Sequence, residues 1–228
     1  PGWDVTFSAP KSVSVQGLVG KDDRILQAHD AAVKTALDHY EAHLVTRIRT
    51  DGIVNKEITG SMVAATFRHD TSRELDPQLH THALMLNITQ SADGQWRSVS
   101  SESLYKLQRE LDGIYKTELE ARLNELGYAT SRDDKGNFEI TAVPEKVRDA
   151  FSNRSAQVEA ELSQKGLTRE SSTAEQRDTA TLKTRKAKPS HQDRQALQEK
   201  WQSQAKALSW TPQIPSTEQI KQATSNPQ

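Results

Sequence analysis

The chain has 228 residues, no cysteine, and 31 acidic against 30 basic side chains, for a formal net charge of −1. The lack of thiols excludes disulfides and thiolate metal ligands and suits a reducing cytoplasm, while near-neutrality gives no global attraction to a polyanion. At 34% hydrophobic residues the chain can bury one substantial core; no apolar run approaches the roughly twenty residues of a membrane span and no signal peptide opens it, so membrane insertion is not expected.

The opening Pro1-Gly2-Trp3 enters directly on a strand and reads as the start of a fragment of a longer protein. Trp3, Val5 and Phe7 alternate with Asp4 and Thr6, which predicts a half-buried strand with Asp4 facing away from the large apolar side chains. Ser8, Ala9 and Pro10 read as a helix start, with serine capping free N–H groups and proline in the first turn. A longer helix is predicted from about Asp22 to Arg49 through Ile25, Val33, Leu37, Tyr40 and Leu44, ending at the turn Asp51-Gly52. His29 is in phase with that apolar stripe and is assigned to packing, partly buried. His39 and His43 are four apart but Tyr40 stands where the helical metalloprotease pattern needs glutamate, so they read as ordinary helix residues. His191 reads as a surface residue.

Strands are predicted over residues 57–67 and 79–89, and Asp93-Gly94 turns the chain before a short segment around Trp96 and Val99. A helix from about Ser103 to Leu126 carries Leu104, Leu107, Leu111, Ile114, Leu119 and Leu123, with Gly127 as its left-handed stop. Residues 128–130 and 138–141 form a small hairpin. Helices over 144–164, 173–185 and 192–208 have few large apolar residues and are expected to lie over the core. The tail from Thr211, with Pro212, Pro215 and Pro227, is linker-like. The expected architecture is α+β, a central antiparallel sheet flanked by helices with a mostly helical C-terminal part. Its organisation is a palm core over 1–145, a covering helical part over 146–210 and a tail over 211–228.

The strongest chemical signal is the segment from His69 to His82, which holds three of the seven histidines. His80 and His82 are one residue apart and project from the same face of a strand. His69 ends an apolar run and precedes a polar, proline-containing segment, so a hairpin-like return brings it beside the pair. Three nitrogens around one ion leave coordination positions for water or a substrate oxygen, as in catalytic sites. Leu84 and Leu86 share the face of His80 and His82, which places the site at the rim of a core. Local basic groups (Arg47 and Arg49, Arg68 and Arg73, and Lys183 to Lys188) are the sequence's only charge-based hint of a phosphate-bearing partner.

The strings from Trp3 to Ser14 (WDVTFSAPKSVS) and from His69 to His82, followed by Asn87, are similar to the relaxase domains of conjugative plasmids typified by the F-plasmid and R388 transfer proteins, the MobF family. The likeness continues through Gly94 to Trp96, Leu126-Gly127-Tyr128 and Thr184 to Lys188, and covers most of residues 1–210. It implies the HUH endonuclease fold and metal-dependent nicking of one DNA strand at a transfer origin, in which a tyrosine attacks the scissile phosphate and stays joined to the 5′ end. It implies a divalent ion, Mg2+ or Mn2+ with Zn2+ as the alternative, held by His69, His80 and His82. By the same match Asp4 either accepts the tyrosine proton or, the favoured role, hydrogen-bonds the outer nitrogen of a metal histidine. Arg73 and Gln108 are matched to DNA contacts, and Arg185, Lys186 and Lys188 to the stretch that closes over bound DNA. A monomer that meets origin DNA and accessory proteins of the relaxosome is the implied assembly.

One departure stands out. Relatives carry their catalytic tyrosines well upstream of the strand containing Asp4, whereas Tyr40, Tyr105, Tyr115 and Tyr128 fall in or beside helices at packing positions. The chain by itself is therefore expected to hold a metal site and a DNA surface without a nucleophile, and to expose a sheet edge. The alternatives are a non-catalytic single-stranded DNA-binding fragment and a zinc hydrolase unrelated to DNA, since three imidazoles alone suit Zn2+ better than Mg2+.

Overall fold

The computed structural model describes residues 2–185, 193–216, 218, 220 and 221, with the side chains of 103–106, 108 and 109 left outside the description. Its centre is a three-stranded antiparallel sheet in the order β1-β5-β4, from β1 (Gly2–Ser8), β4 (Ala64–Thr71) and β5 (Pro77–Leu86). Strand β5 is the middle strand because its inward side chains, Leu79, Thr81, Ala83 and Met85, are all buried. Helices α1 (Lys11–Gly20), α2 (Asp23–Ala42) and α3 (Ser101–Glu125) join that face in one hydrophobic core with Phe7, Ile25, Leu37, Leu111 and Leu119. The opposite face of the sheet is open: Phe67, Leu84 and Leu86 are exposed on it. Leu84 and Leu86 thus share a face with the histidines as expected, but that face is away from the core that α1, α2 and α3 build with the sheet.

Several boundaries differ from the sequence expectation. Helix α2 stops at Ala42 with His43 as its C-cap, and Val45–Thr50 is strand β2, paired antiparallel with β3 (Ile53–Ile58). The alternating, β-branched Val45-Thr46-Arg47-Ile48 suits a strand, and Asp51 and Gly52, at φ 52° and 84°, make the two-residue reversal a hairpin needs. The single strand expected over 57–67 is thereby divided between β3 and β4. The first helix is capped by Pro10, without a side-chain bond, and Ser8 stays in β1. Residues 89–90 and 96–97 form a short hairpin, β6 and β7, around Gly94, and β8 (Thr130–Arg132) pairs with β9 (Phe138–Ile140) as predicted.

The helix expected over 144–164 is two, α4 (Glu145–Ala150) and α5 (Asn153–Ser163). The break falls at Phe151, whose carbonyl accepts from the buried Lys11 Nζ at 3.0 Å while Pro77 O accepts from the same ammonium at 3.0 Å. Burial pushes the Lys11 ammonium below its ordinary value, opposed by the nearby Asp76 and Glu139 carboxylates. Helix α6 (Ala174–Lys183) packs on α5 through Val158, Leu162 and Ala180 in a small cluster of its own. Helix α7 (Arg194–Ala207) does more than cover the core: Leu197, Trp201 and Ala205 belong to it. The chain beyond α7 also stays docked through Gln213, since Trp210 Nε1 donates to Ala142 O at 2.9 Å and Gln16 Nε2 donates to Gln213 O at 3.0 Å. His191, Lys186 and Lys188 lie outside the described residues.

His29 is fully buried rather than partly so. Burial, with added repulsion from Arg68 and His80, lowers its pKa to about 3. The unfolded chain therefore takes up a proton near pH 6.5 that the folded chain refuses until about pH 3. Folded stability should fall as pH drops through that window, by up to about 1.4 kcal/mol per pH unit from this group. Replacing His29 with Gln is expected to make the decline of Tm between pH 6.5 and 4 shallower; an unchanged slope in thermal melts counts against it. Trp201→Ala should cost about 3–5 kcal/mol in a urea unfolding curve, whereas a helix that only covered the core would lose far less.

Candidate metal and nucleic-acid site

Antiparallel pairing sets the site. His69 on β4 lies directly opposite His80 on β5, and His82 lies opposite Phe67 on one side and Thr6 of β1 on the other. The β4–β5 register shifts between His69 and Thr71, a bulge immediately after the first histidine; such irregularities re-aim side chains beside functional sites. The return between the strands is a tight loop in which Ser72 N–H donates to Asp76 O at 2.9 Å and Leu75 sits at φ 62°. Its end is anchored by Asp76, buried and accepting from Asn153 Nδ2 of α5 at 2.6 Å. Trp201 Nε1 on α7 donates to Leu75 O at 2.8 Å. The hairpin-like return read from the sequence is there, held by helices far away in the chain.

The three rings converge. Their centroids stand 5.3 Å apart for His69 and His80, 5.5 Å for His69 and His82, and 5.3 Å for His80 and His82. Imidazoles bound to one ion through nitrogens about 2.1 Å away have centroids about 5.3 Å apart at tetrahedral angles and about 4.6 Å apart at right angles. The observed triangle is thus the size that three legs of a tetrahedron would require. No group of three metal-binding side chains stands with its donor atoms already gathered to hold an ion, among the described residues.

The outer nitrogens are assigned to partners that fix the tautomers. His82 Nδ1 lies 2.9 and 3.0 Å from the two Asp4 carboxylate oxygens and 3.1 Å from Thr6 Oγ1. A carboxylate only accepts, so Nδ1 carries the hydrogen and Nε2 keeps its lone pair for an ion. His80 Nδ1 donates to Gln78 O at 3.0 Å, with the same consequence. Burial holds the His80 pKa below the ordinary histidine value, the Gln78 bond opposes this, and charge on His69 and His82 lowers it further. A neutral, oriented imidazole is what a cation needs. Asp4 faces the open side of β1, as the alternation in the sequence predicts, and Thr6, two residues on, shares that face.

A cavity of about 380 Å³ spreads from the histidines to α6, lined by Arg73, Gln78, Arg154, Thr181, Leu182 and Arg185 besides the three rings. Arg73 and Arg185, both expected at a DNA surface, meet there. Gln108 is on α3, and its side chain is outside the described residues. Sequence reading missed Arg154 and Leu182. The Arg154 guanidinium donates to the carbonyls of Thr181 at 2.6 Å and Thr184 at 2.8 Å, closing the end of α6 just before Arg185. Only the fold brings it there, because Arg154 and the carbonyls it meets belong to two different helices. His39 Nε2 pairs with Glu110 at 3.0 Å, and both it and His43 lie away from this cavity.

A sheet whose open face carries three neighbouring imidazoles, with a carboxylate behind one and guanidiniums lining the same cavity, is a candidate site for a cation and an anionic ligand. The family model of TrwC relaxases matches residues 1–208, and the chain belongs to that family. It is 39% identical over 211 residues to the multifunctional conjugation protein TraI of Escherichia coli, a match covering 88% of this chain and 11% of that protein. The chain therefore spans about a tenth of the length of the curated relatives it matches. Among solved structures it is similar to the conjugative relaxase TrwC in complex with oriT DNA, in a copper-bound form, at 42% identity and a TM-score of 0.90 over 93% of this chain and 72% of that one. A metal-free structure of the same complex matches with the same identity and TM-score. The fold and family expectations of the sequence are thereby borne out, and no helix among the described residues is long and apolar enough to cross a membrane.

Asp4→Ala should weaken Mn2+ or Zn2+ binding by about 10-fold or more in a calorimetric titration, as loss of a ligand's outer partner does. Because Asp4 is half exposed, the metal-free Tm should hardly move.

Proposed function

We propose that this chain is the metal-holding and DNA-binding part of a relaxase that nicks one strand at a plasmid transfer origin and rejoins it, by transesterification through a tyrosine. The observation that carries the reading is the triangle of His69, His80 and His82 at tetrahedral spacing beside a cavity lined by Arg73, Arg154 and Arg185. A divalent ion bound there would polarise the scissile phosphate and offset the charge that builds on its non-bridging oxygens. His80 and His82 offer Nε2 to it, and Asp4 keeps the His82 ring turned that way. This is the positioning role; a carboxylate already bonded through both oxygens to an imidazole is poorly placed to take a proton from a tyrosine.

Arg73 and Arg185 meet phosphates from the walls of the cavity, and Lys186, Lys188 and Gln108 are the further DNA contacts of this reading. The open sheet face next to His82, with Phe67, Leu84 and Leu86 exposed, suits the unstacked bases of a single strand. Tyr40, Tyr115 and Tyr128 are buried, so none offers its hydroxyl to the site, and the attacking tyrosine is to be sought elsewhere than in these three. The metal is Mg2+ or Mn2+ in the cell, with Zn2+ as the alternative that the tetrahedral spacing favours. Action as a monomer in the bacterial cytoplasm, with accessory proteins assembled at the origin, completes the reading. The second reading is a zinc hydrolase, for which that same spacing speaks.

Fluorescence anisotropy with a single-stranded origin oligonucleotide should show binding that weakens several-fold in Arg185→Ala and steeply with salt. Joined to a tyrosine-bearing segment of a relative, the protein should nick that strand with Mn2+, and His82→Ala should abolish nicking. A tyrosyl adduct on Tyr40, Tyr115 or Tyr128 would overturn the tyrosine assignment, and no affinity for any oligonucleotide would favour the zinc hydrolase.

A further inference from the structure

Between the two metal-facing histidines of β5 stands a residue that points the other way. Thr81 is 3% exposed, on the core face of the strand, where a hydroxyl needs a partner. It finds one in His29 of α2, whose Nε2 lies 2.8 Å from Thr81 Oγ1. The other nitrogen of His29 lies 2.7 Å from the hydroxyl of Tyr115 on α3. His29 and Tyr115 are both fully buried, meet edge to face with ring centroids 5.5 Å apart, and Tyr115 packs in turn on Phe7 of β1. A polar chain therefore runs from α2 and α3 to the middle of the His80-Thr81-His82 segment.

The ladders to β1 and β4 set the mean orientation of β5, and the apolar packing beneath it adds contacts that have no preferred direction. A hydrogen bond does have one. With Thr81 tied on one face, the two side chains on the other face, His80 and His82, are fixed in azimuth. The neutral imidazole of His29 has one donor and one acceptor nitrogen, which matches two hydroxyl partners that can each donate or accept. No apolar residue at 29 or 115 would supply this.

We propose that His29 and Tyr115 are positioning residues for the metal centre, acting through Thr81 to hold His80 and His82 aimed at a single point. The inference rests on the reading of the three histidines as a metal site, and it adds a role for groups that touch neither metal nor DNA. Thr81 sits at the position between two ligands because a hydroxyl there can be gripped from beneath.

The test is Co2+ titration of the whole chain, followed by calorimetry and by the visible absorption of the bound ion, with circular dichroism to establish that each variant is folded. Thr81→Val should lose about 10-fold in Co2+ affinity and change the intensity of the cobalt bands, while Thr81→Ser restores both. Tyr115→Phe, which removes only the far end of the chain, should weaken binding about two- to threefold and keep the fold. Val33→Ala, a core truncation on α2 away from the polar chain, should lower Tm and leave affinity and spectrum as they are. Wild-type affinity and spectrum in folded Thr81→Val and Tyr115→Phe would overturn the inference and leave the metal site standing. If the unaltered protein binds no Co2+, or binds it equally well as His82→Ala, the metal reading falls and the inference with it. If Val33→Ala loses affinity in proportion to its Tm, the effect is general destabilisation and the positioning role is wrong.

Discussion

Everything at the site depends on the register of one hairpin, in which His69 is opposite His80. Side chains alternate across a strand, so a slip by one residue would turn His80 and His82 into the core and Leu79, Thr81 and Ala83 out to solvent. The register is held on the core side, where those residues are buried, and at the return, where Leu75 takes a left-handed conformation. The return is pinned by Asp76 to α5 and by Leu75 O to Trp201 of α7. The helical C-terminal part thus does two jobs: it supplies one wall of the cavity and it fastens the turn that sets the ligand geometry.

The electrostatic arrangement is local. Net charge is nearly zero, yet arginines gather on the cavity walls, and burial favours the uncharged form of His80. The carboxylates near the site are engaged: Asp4 with His82, Asp70 with Arg194 at 2.9 Å, and Asp76 in the loop. Elsewhere acidic and basic groups pair along the surface, as Lys34 with Asp38 and Arg169 with Glu159 do, where exposure and screening leave such pairs little weight in stability. Charge that matters is charge placed around one cavity.

Legibility in the sequence followed the range of the forces involved. The alternation of Trp3, Val5 and Phe7 placed Asp4 on the open face correctly, and Gly94, Gly127 and Asp51-Gly52 marked reversals that needed positive φ. The end of α2 was misread because Leu44 stays in helical phase with Tyr40 and is buried, although the chain has already left the helix at Ala42. Its burial is real, but it comes from the strand side. Leu84 and Leu86 misled in the same way: apolar side chains suggested a core rim, whereas the core face of β5 carries Leu79, Ala83 and Met85. The break between α4 and α5 could not be read locally, since it serves a lysine more than a hundred residues upstream.

The sequence by itself determined which chemistry the molecule can perform: three imidazoles at strand spacing, a carboxylate on an alternating strand, basic residues near both, and strings similar to those of relaxases. Side-chain type and short-range periodicity carry that information. Only the tertiary structure decided that the third imidazole stands opposite the first of the pair, that Arg73, Arg154 and Arg185 share a cavity, and that a buried histidine reaches Thr81 between His80 and His82. Apart from the hairpin pairing, those facts depend on directional bonds between residues 30 to 126 apart, which no local pattern records.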